Sequence, residues 1–267
     1  MRPDVSGVRL GRVMKPVDYD AYQSTVYAAG RALRPAVLAE WMTAFARHAA
    51  PGRPLAVLDL GSGTGRFTPS LADAFGGPVH GVEPSARMRA VALESAAHPA
   101  VTYLEGEADA IPLPDASVDL VLLYLVWHHV PDKPAAVAEI RRVLRPGARV
   151  LIRSTFSDRM PFLTWHTYFP RATEIEQAMF PTVGEAEASF AAAGLRRVAL
   201  DVVRVQSVET FEQYAQRLRT RAISTFEHLT EQEIAVGFAA LDADLAAGRQ
   251  PGRLSEDGDL LVLELPA

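Results

Sequence analysis

The residues with the strongest chemical implication close an apolar run, Val57-Leu58-Asp59-Leu60-Gly61-Ser62-Gly63-Thr64-Gly65. Glycine at every second position removes Cβ where the backbone must turn sharply and lets a ligand lie against the bare chain. The part carrying Val57, Leu58 and Leu60 reads as a buried strand, and Phe67 to Phe75 reads as a helix whose N-terminus faces that ligand. A strand, loop and helix of this kind suit a nucleotide-like molecule. The dinucleotide fingerprint is G-x-G-x-x-G, whereas here the spacing is G-x-G-x-G with Asp59 ahead of the first glycine. A carboxylate there is poorly placed beside a pyrophosphate, which would bring its own negative charge to the same helix end, and it suits a cationic ligand better. The phosphate-cradling loop needs Lys followed by Ser or Thr, and Gly65 is followed instead by Arg66-Phe67.

With Asp59, Gly61, Gly63 and Gly65 in that pattern, the chain resembles the class I S-adenosylmethionine-dependent methyltransferases, in their small-molecule branch (methyltransferase type 11, similar to the quinone-biosynthesis methyltransferases). The resemblance runs from roughly Leu55 to Ser154 and implies S-adenosylmethionine as cofactor and S-adenosylhomocysteine as product. It places Ser62 in the cofactor loop, and it makes Glu83, after the strand Val79-His80-Gly81-Val82, the acceptor for the ribose hydroxyls. Pro84 and Met88 open the next helix, where the family lays an apolar side chain against adenine. In Gly106-Glu107-Ala108-Asp109, Glu107 is implied to accept from the exocyclic amine and the Ala108 amide to donate to a ring nitrogen. Tyr124, near the end of the fourth strand, Val118 to Leu125, completes the implied cofactor set. From the N-terminal arm, Tyr22 and Arg31 are implied cofactor contacts, with Arg31 meeting the methionine carboxylate.

Methyl transfer from a sulfonium is an in-line displacement, so the enzyme chiefly places the nucleophile and excludes water. A base is optional. His128 and His129 follow the fourth strand, where the family's acceptor meets the methyl group, and either could take an acceptor proton; His166 is a further candidate. On the acceptor side the expected residues are Tyr19, Tyr27, Trp127, Trp165 and Tyr168, with Arg153 as a partner for an acidic substrate group. A metal-assisted mechanism needs clustered oxygens near Asp132, which stands alone among His, Trp and Val residues, so no metal is expected. Tyr124-Leu125-Val126-Trp127 replaces the Asn or Asp-Pro-Pro-aromatic signature of nucleic-acid amino-methyltransferases.

These residues need a scaffold, and the elements supply an α/β one. The expectation is a Rossmann-like doubly wound seven-stranded sheet with the last strand antiparallel, an N-terminal helical arm and helical and aromatic cap insertions. Strand five spans Arg149 to Ile152; a helix from about Gly184 to Ala193 ends at Gly194 and leads into strand six near Val198 to Val205; Asp259 to Leu265 closes the sheet. Residues 1–50 form the arm closing over the cofactor, 51–206 and 251–267 the core, and 157–183 and 207–250 the substrate-capping insertions. The first insertion is the most aromatic stretch of the chain; the second carries Phe211, Tyr214, Leu218, Ile223 and Phe226 on one apolar helical face.

The 267 residues are 49% hydrophobic, enough for a core plus an appended lobe. A net charge of −5 and a pI near 5.8 argue against a nucleic-acid track. With no cysteine, disulfides, thiol nucleophiles and thiolate metal ligands are excluded. No membrane span or signal peptide is evident, so a cytoplasmic monomer or homodimer acting on a small-molecule acceptor is expected. The Ala, Arg and Pro-rich composition and the elaborated cap suggest bacterial secondary metabolism. The alternative is a noncatalytic or repurposed S-adenosylmethionine-binding protein acting through a partner or a non-methyl reaction.

Overall fold

The computed structural model describes residues 34–205, 209–250, 252, 254 and 257–267. Seven strands form one sheet: β1 (Leu55–Leu60), β2 (Gly76–Val82), β3 (Val101–Leu104), β4 (Val118–Tyr124), β5 (Leu144–Ser154), β6 (Arg196–Val203) and β7 (Gly258–Glu264). Their order is β3-β2-β1-β4-β5-β7-β6, and β7 runs antiparallel to both β5 and β6. The expected seven-stranded sheet with an antiparallel last strand is therefore present. β1 is buried at every position, as a strand covered on both faces must be.

Alternation along the strands feeds two cores. Val57, Val79, Leu120, Leu122, Leu151 and Val262 pack against α1 (Pro35–His48) and α2 (Thr68–Phe75) on one face. Leu58, Val121, Leu123, Val150, Ile152 and Leu263 pack on the other, against α4 (Lys133–Val143) and α6 (Val183–Ala191). α3 (Ala86–Ser95) buries Met88 and Ala92. The helix starts were written locally: Pro35 opens α1, the Ser85 hydroxyl accepts from the Met88 N–H at 3.2 Å, and Asp132 accepts from the Ala135 N–H at 3.0 Å.

The insertions make a third core. α5 (Pro170–Met179), α7 (Phe211–Arg219) and α8 (Glu231–Ala246) bury Trp165, Phe169, Tyr214, Leu218, Phe226 and Leu241 among themselves. Thr210 with Gln213, and Thr230 with Glu233, form reciprocal capping boxes that fix where α7 and α8 begin. The first insertion leaves the sheet after Ser154, and the second leaves after Val203 and returns at Gly258. All three points lie at the carboxyl edge of the parallel strands, because Ser154 pairs with Asp259 and Val203 with Gly258. The cap thus rises from the edge where ligands bind in open α/β sheets. No helix among the described residues is long and apolar enough to cross a membrane.

Three boundaries differ from expectation. β5 begins at Leu144 rather than Arg149, with a register shift against β4 between Val118 and Leu120. β6 spans Arg196–Val203, two residues earlier than read, because Gly194 (φ +84°) turns the chain early after α6. β4 stops at Tyr124 because Leu125 takes φ +59°, outside the strand region.

Candidate cofactor and acceptor site

Gly61, Gly63 and Gly65 have φ of +71°, +55° and +77°, the conformation that disfavours any residue with a Cβ. The Gly61 and Ser62 N–H groups donate to the Val82 carbonyl at 2.8 and 3.1 Å, holding the loop against the end of β2. A Cβ on Gly61 would lie 2.5 Å from Val126 Cγ2, and one on Gly65 would overlap the Tyr103 hydroxyl. Ser62 Oγ is buried inside this bare loop with no hydrogen-bond partner among the described residues. A half-buried stretch of side-chain-free backbone with an unpartnered hydroxyl fits the polar groups of an adenosyl cofactor.

Two carboxylates organise the loop. Glu83 is buried; Oε2 accepts from the Gly63 N–H at 3.0 Å and Oε1 from the Ser85 N–H at 2.9 Å. A carboxylate oxygen accepts more than one hydrogen bond, so fixing the loop is compatible with the expected ribose contact. Asp59 lies beneath the loop on the α1/α2 face and accepts from the Thr68 hydroxyl at 2.7 Å. Burial pushes its carboxyl up to about 6, against the opposing pull of the Thr68 hydrogen bond and of Arg66. It joins strand to helix directly. The adjoining strand ends carry the rest of the expected set: Met88 is buried, Pro84 and Glu107 are exposed, and Ala108 packs against the core.

On the other side of the loop stands Tyr124. Its ring lies 4.4 Å from Phe67 and 5.5 Å from Trp41, with the Arg66 and Arg153 guanidinium carbons 5.4 and 5.3 Å from its centroid. The next residue, Leu125, donates its N–H to the Arg153 carbonyl at 2.9 Å in the left-handed conformation, a strain of about 1–2 kcal/mol. That turn folds Val126 over Gly61 and delivers the short helical turn Trp127–His129. The His128 and His129 rings are half-buried, 3.9 Å apart, with Phe180 of the first insertion 4.5 Å from His128. Both histidines therefore stand at the carboxyl edge beside the glycine loop.

Four expected residues belong elsewhere. Trp127 is fully buried 4.9 Å from Phe190 in the core beside α6, so it packs rather than lines a pocket. Trp165 is enclosed in the cap core 5.5 Å from Phe226. Tyr168 is buried there too and donates to Asp244 at 3.0 Å, with burial raising its phenol well above the usual range. His166 Nδ1 accepts from the Leu163 N–H at 3.1 Å, so Nε2 carries the proton and donates to Glu176 at 3.0 Å. Glu176 in turn accepts from Thr225 at 3.0 Å, and the buried chain of three leaves His166 no base function. An aromatic segment long enough to fold around itself claims its own rings. Tyr19, Tyr22, Tyr27 and Arg31 lie outside the described residues. The arm's one described helix meets the cap through Arg34, 4.0 Å from Glu209, which Arg217 holds at 2.8 Å.

Sequence reasoning missed Thr68, Arg66, Val126 and Phe180. Thr68 had a signal, a hydroxyl at the first position of the helix after the loop, and Arg66 had one in being a cation directly after Gly65. Phe180 had one in belonging to the aromatic stretch after strand five, though which ring meets the histidines depends on the fold of the cap; Val126 had none, because its place depends on the Leu125 turn. Among the described residues no three His, Asp or Glu side chains group as a metal site.

A methyltransferase-domain family model (Methyltransf_11) matches residues 58–152. An uncharacterized methyltransferase of Mycobacterium tuberculosis is 39% identical over 135 residues, 50% of this chain and 51% of that protein. A demethylmenaquinone methyltransferase of Lactiplantibacillus plantarum is 33% identical over 132 residues, 46% of this chain and 56% of that protein. The chain thus spans about half the length of the curated relatives it matches. Among solved structures, a protein of Anabaena variabilis described as a methyltransferase from an antibiotic biosynthesis pathway superposes with a TM-score of 0.70 at 21% identity, covering 84% of this chain and 96% of that one. That likeness extends the shared fold well beyond the matched family segment. Residues 58–152 match a methyltransferase domain, and with the surrounding strands they build a Rossmann-like α/β fold shared with that solved methyltransferase.

Proposed function

We propose that this protein transfers a methyl group from S-adenosylmethionine to a small-molecule acceptor by positioned in-line displacement, without a metal, in bacterial secondary metabolism. The observation that carries the reading is the meeting of two built halves at Tyr124-Leu125-Val126. A glycine loop organised by Asp59 and Glu83 lies on one side, and a pair of histidines under an aromatic cap lies on the other. When bound, S-adenosylmethionine supplies a sulfonium methyl carbon open to displacement. Ser62, Glu83, Met88, Glu107 and Ala108 would hold it, with Gly61, Gly63 and Gly65 allowing close backbone approach. His128 or His129 takes the acceptor's proton as the new bond to the methyl carbon forms. The cap and arm exclude water, and Tyr124 shapes the boundary between the two compartments.

The demethylmenaquinone methyltransferase among the relatives, and the acidic, non-basic composition, support a small-molecule acceptor over nucleic acid. A cytoplasmic monomer or homodimer fits the same reading. The decisive experiment is calorimetric titration of S-adenosylmethionine and NAD, followed by an acceptor screen read by S-adenosylhomocysteine release. Saturable S-adenosylmethionine binding with acceptor-dependent turnover supports methyl transfer. Binding without turnover across the screen favours a protein that holds the cofactor for a partner or for a non-methyl reaction, and preference for NAD overturns both.

A further inference from the structure

Two arginines stand on β5 on the same face of the sheet, and they are treated differently. Arg149, toward the amino end, pairs with Glu264 at 3.2 Å and donates to the His48 carbonyl at 2.9 Å. Arg153, toward the carboxyl end, has no carboxylate partner among the described residues, although its Nε is buried. Its guanidinium carbon lies 5.4 Å from the Trp41 ring centroid and 5.3 Å from that of Tyr124. A Cβ on Gly258 would come within 2.8 Å of its Nη2, so the glycine leaves the group its place.

Ring faces support the flat faces of a guanidinium but satisfy none of its edge N–H donors. Arg153 is half-buried, and its buried Nε–H left without an acceptor is costly. Arg66 lies over the same Tyr124 ring, so two cations flank one aromatic residue directly beside the glycine loop. Packed in the corner of two near-perpendicular rings that touch each other, Arg153 offers a pre-oriented planar fork, the geometry that matches a carboxylate with two parallel hydrogen bonds.

We propose that Arg153 is the recognition group for a carboxylate on the acceptor, which makes the substrate class a carboxylic acid attached to an apolar or aromatic body. The role of the bound acid rests on the methyl-transfer reading; the binding site itself does not.

The test uses full-length protein with [15N]arginine, saturated with S-adenosylhomocysteine, and follows the Arg153 Nε–H signal, assigned by its loss in Arg153→Lys. Acetate and benzoate are titrated against acetamide, benzamide and methylphosphonate. The expected result is a saturable shift with at least one acid and none with either amide. In calorimetry Arg153→Met should bind benzoate at least about tenfold more weakly while S-adenosylhomocysteine affinity stays within about twofold. No saturable shift with either acid, equal shifts with the amides, or a stronger response to methylphosphonate than to both acids would each overturn the proposal. Acid binding at Arg153 without S-adenosylhomocysteine binding would leave the site standing and overturn methyl transfer.

Discussion

The amino and carboxyl edges of the sheet use the same residue types to opposite ends. At the amino edge Asp119 accepts from the Ala56 N–H and from Arg145, each at 2.8 Å, and Arg149 ties Glu264 to the last carbonyls of α1. At the carboxyl edge Ser62 Oγ and Arg153 Nε are buried without partners among the described residues, and Leu125 is held in a strained conformation. Saturated polar groups hold a fold together, whereas polar groups left open at a concave edge are available to a ligand. The contrast predicts that changes at the first edge act on stability alone and that changes at the second act on binding.

The largest effect is expected for Gly65→Ala, where the added carbon meets Tyr103 at a φ of +77°. Strain of about 3 kcal/mol and displacement of the loop should reduce S-adenosylmethionine affinity by roughly 100-fold in calorimetry. Normal affinity would break the assignment of the carboxyl edge as the cofactor side.

Next in size is Asp59. Its carboxyl is raised from 3.8 to about 6, so the folded chain keeps a proton that the unfolded chain has lost between those values. Stability should fall by about 2 kcal/mol from pH 4 to 6 and level off near pH 7, relative to Asp59→Asn, when measured by denaturant titration. Over pH 5 to 7 affinity for the cationic cofactor should rise, since the ionised carboxylate is the form a cation favours. A flat difference between wild type and variant would remove Asp59 from the electrostatics of the site.

Asp119→Ala sharpens the comparison from the other side. It orphans the Ala56 N–H and Arg145, and a loss of about 2 kcal/mol in chemical denaturation is expected with cofactor affinity unchanged. Smallest of all, Leu125→Gly should relieve the left-handed backbone and stabilise the protein by about 0.5 kcal/mol while slowing turnover, because Val126 and the histidines lose their fixed approach.

The core was legible because each of its signals is local. Alternation in β1 and β4, glycine spacing after Leu60 and the acid after Val82 each report on a few neighbouring residues, and together they order five strands. The cap was legible as helical and aromatic but not in its consequences. Phe211, Tyr214 and Leu218 share the buried face of α7, whereas Ile223 and Phe226 reach the same core from beyond a break at Arg221, and Trp165, Tyr168 and His166 turned into that core because it needed partners. Whether a tryptophan lines a pocket or fills a core depends on segments 40 to 80 residues away, and periodicity carries no such information. Trp127 failed similarly: its neighbours His128 and His129 face the edge, and the short helical turn sends the indole to Phe190.

The His166–Glu176–Thr225 chain has one more consequence. Thr225 lies 49 residues beyond Glu176, in the other insertion, and the hydroxyl-to-carboxylate bond joins the two where neither touches water. Two excursions from the sheet that could have behaved as independent flaps are riveted into one body. Arg159 with Asp259, and the Val205 N–H with Asp257, fasten that body again where it meets the strands. Under the methyl-transfer reading, an acceptor arriving at this edge and a product leaving it would meet one cross-linked body rather than two separate flaps.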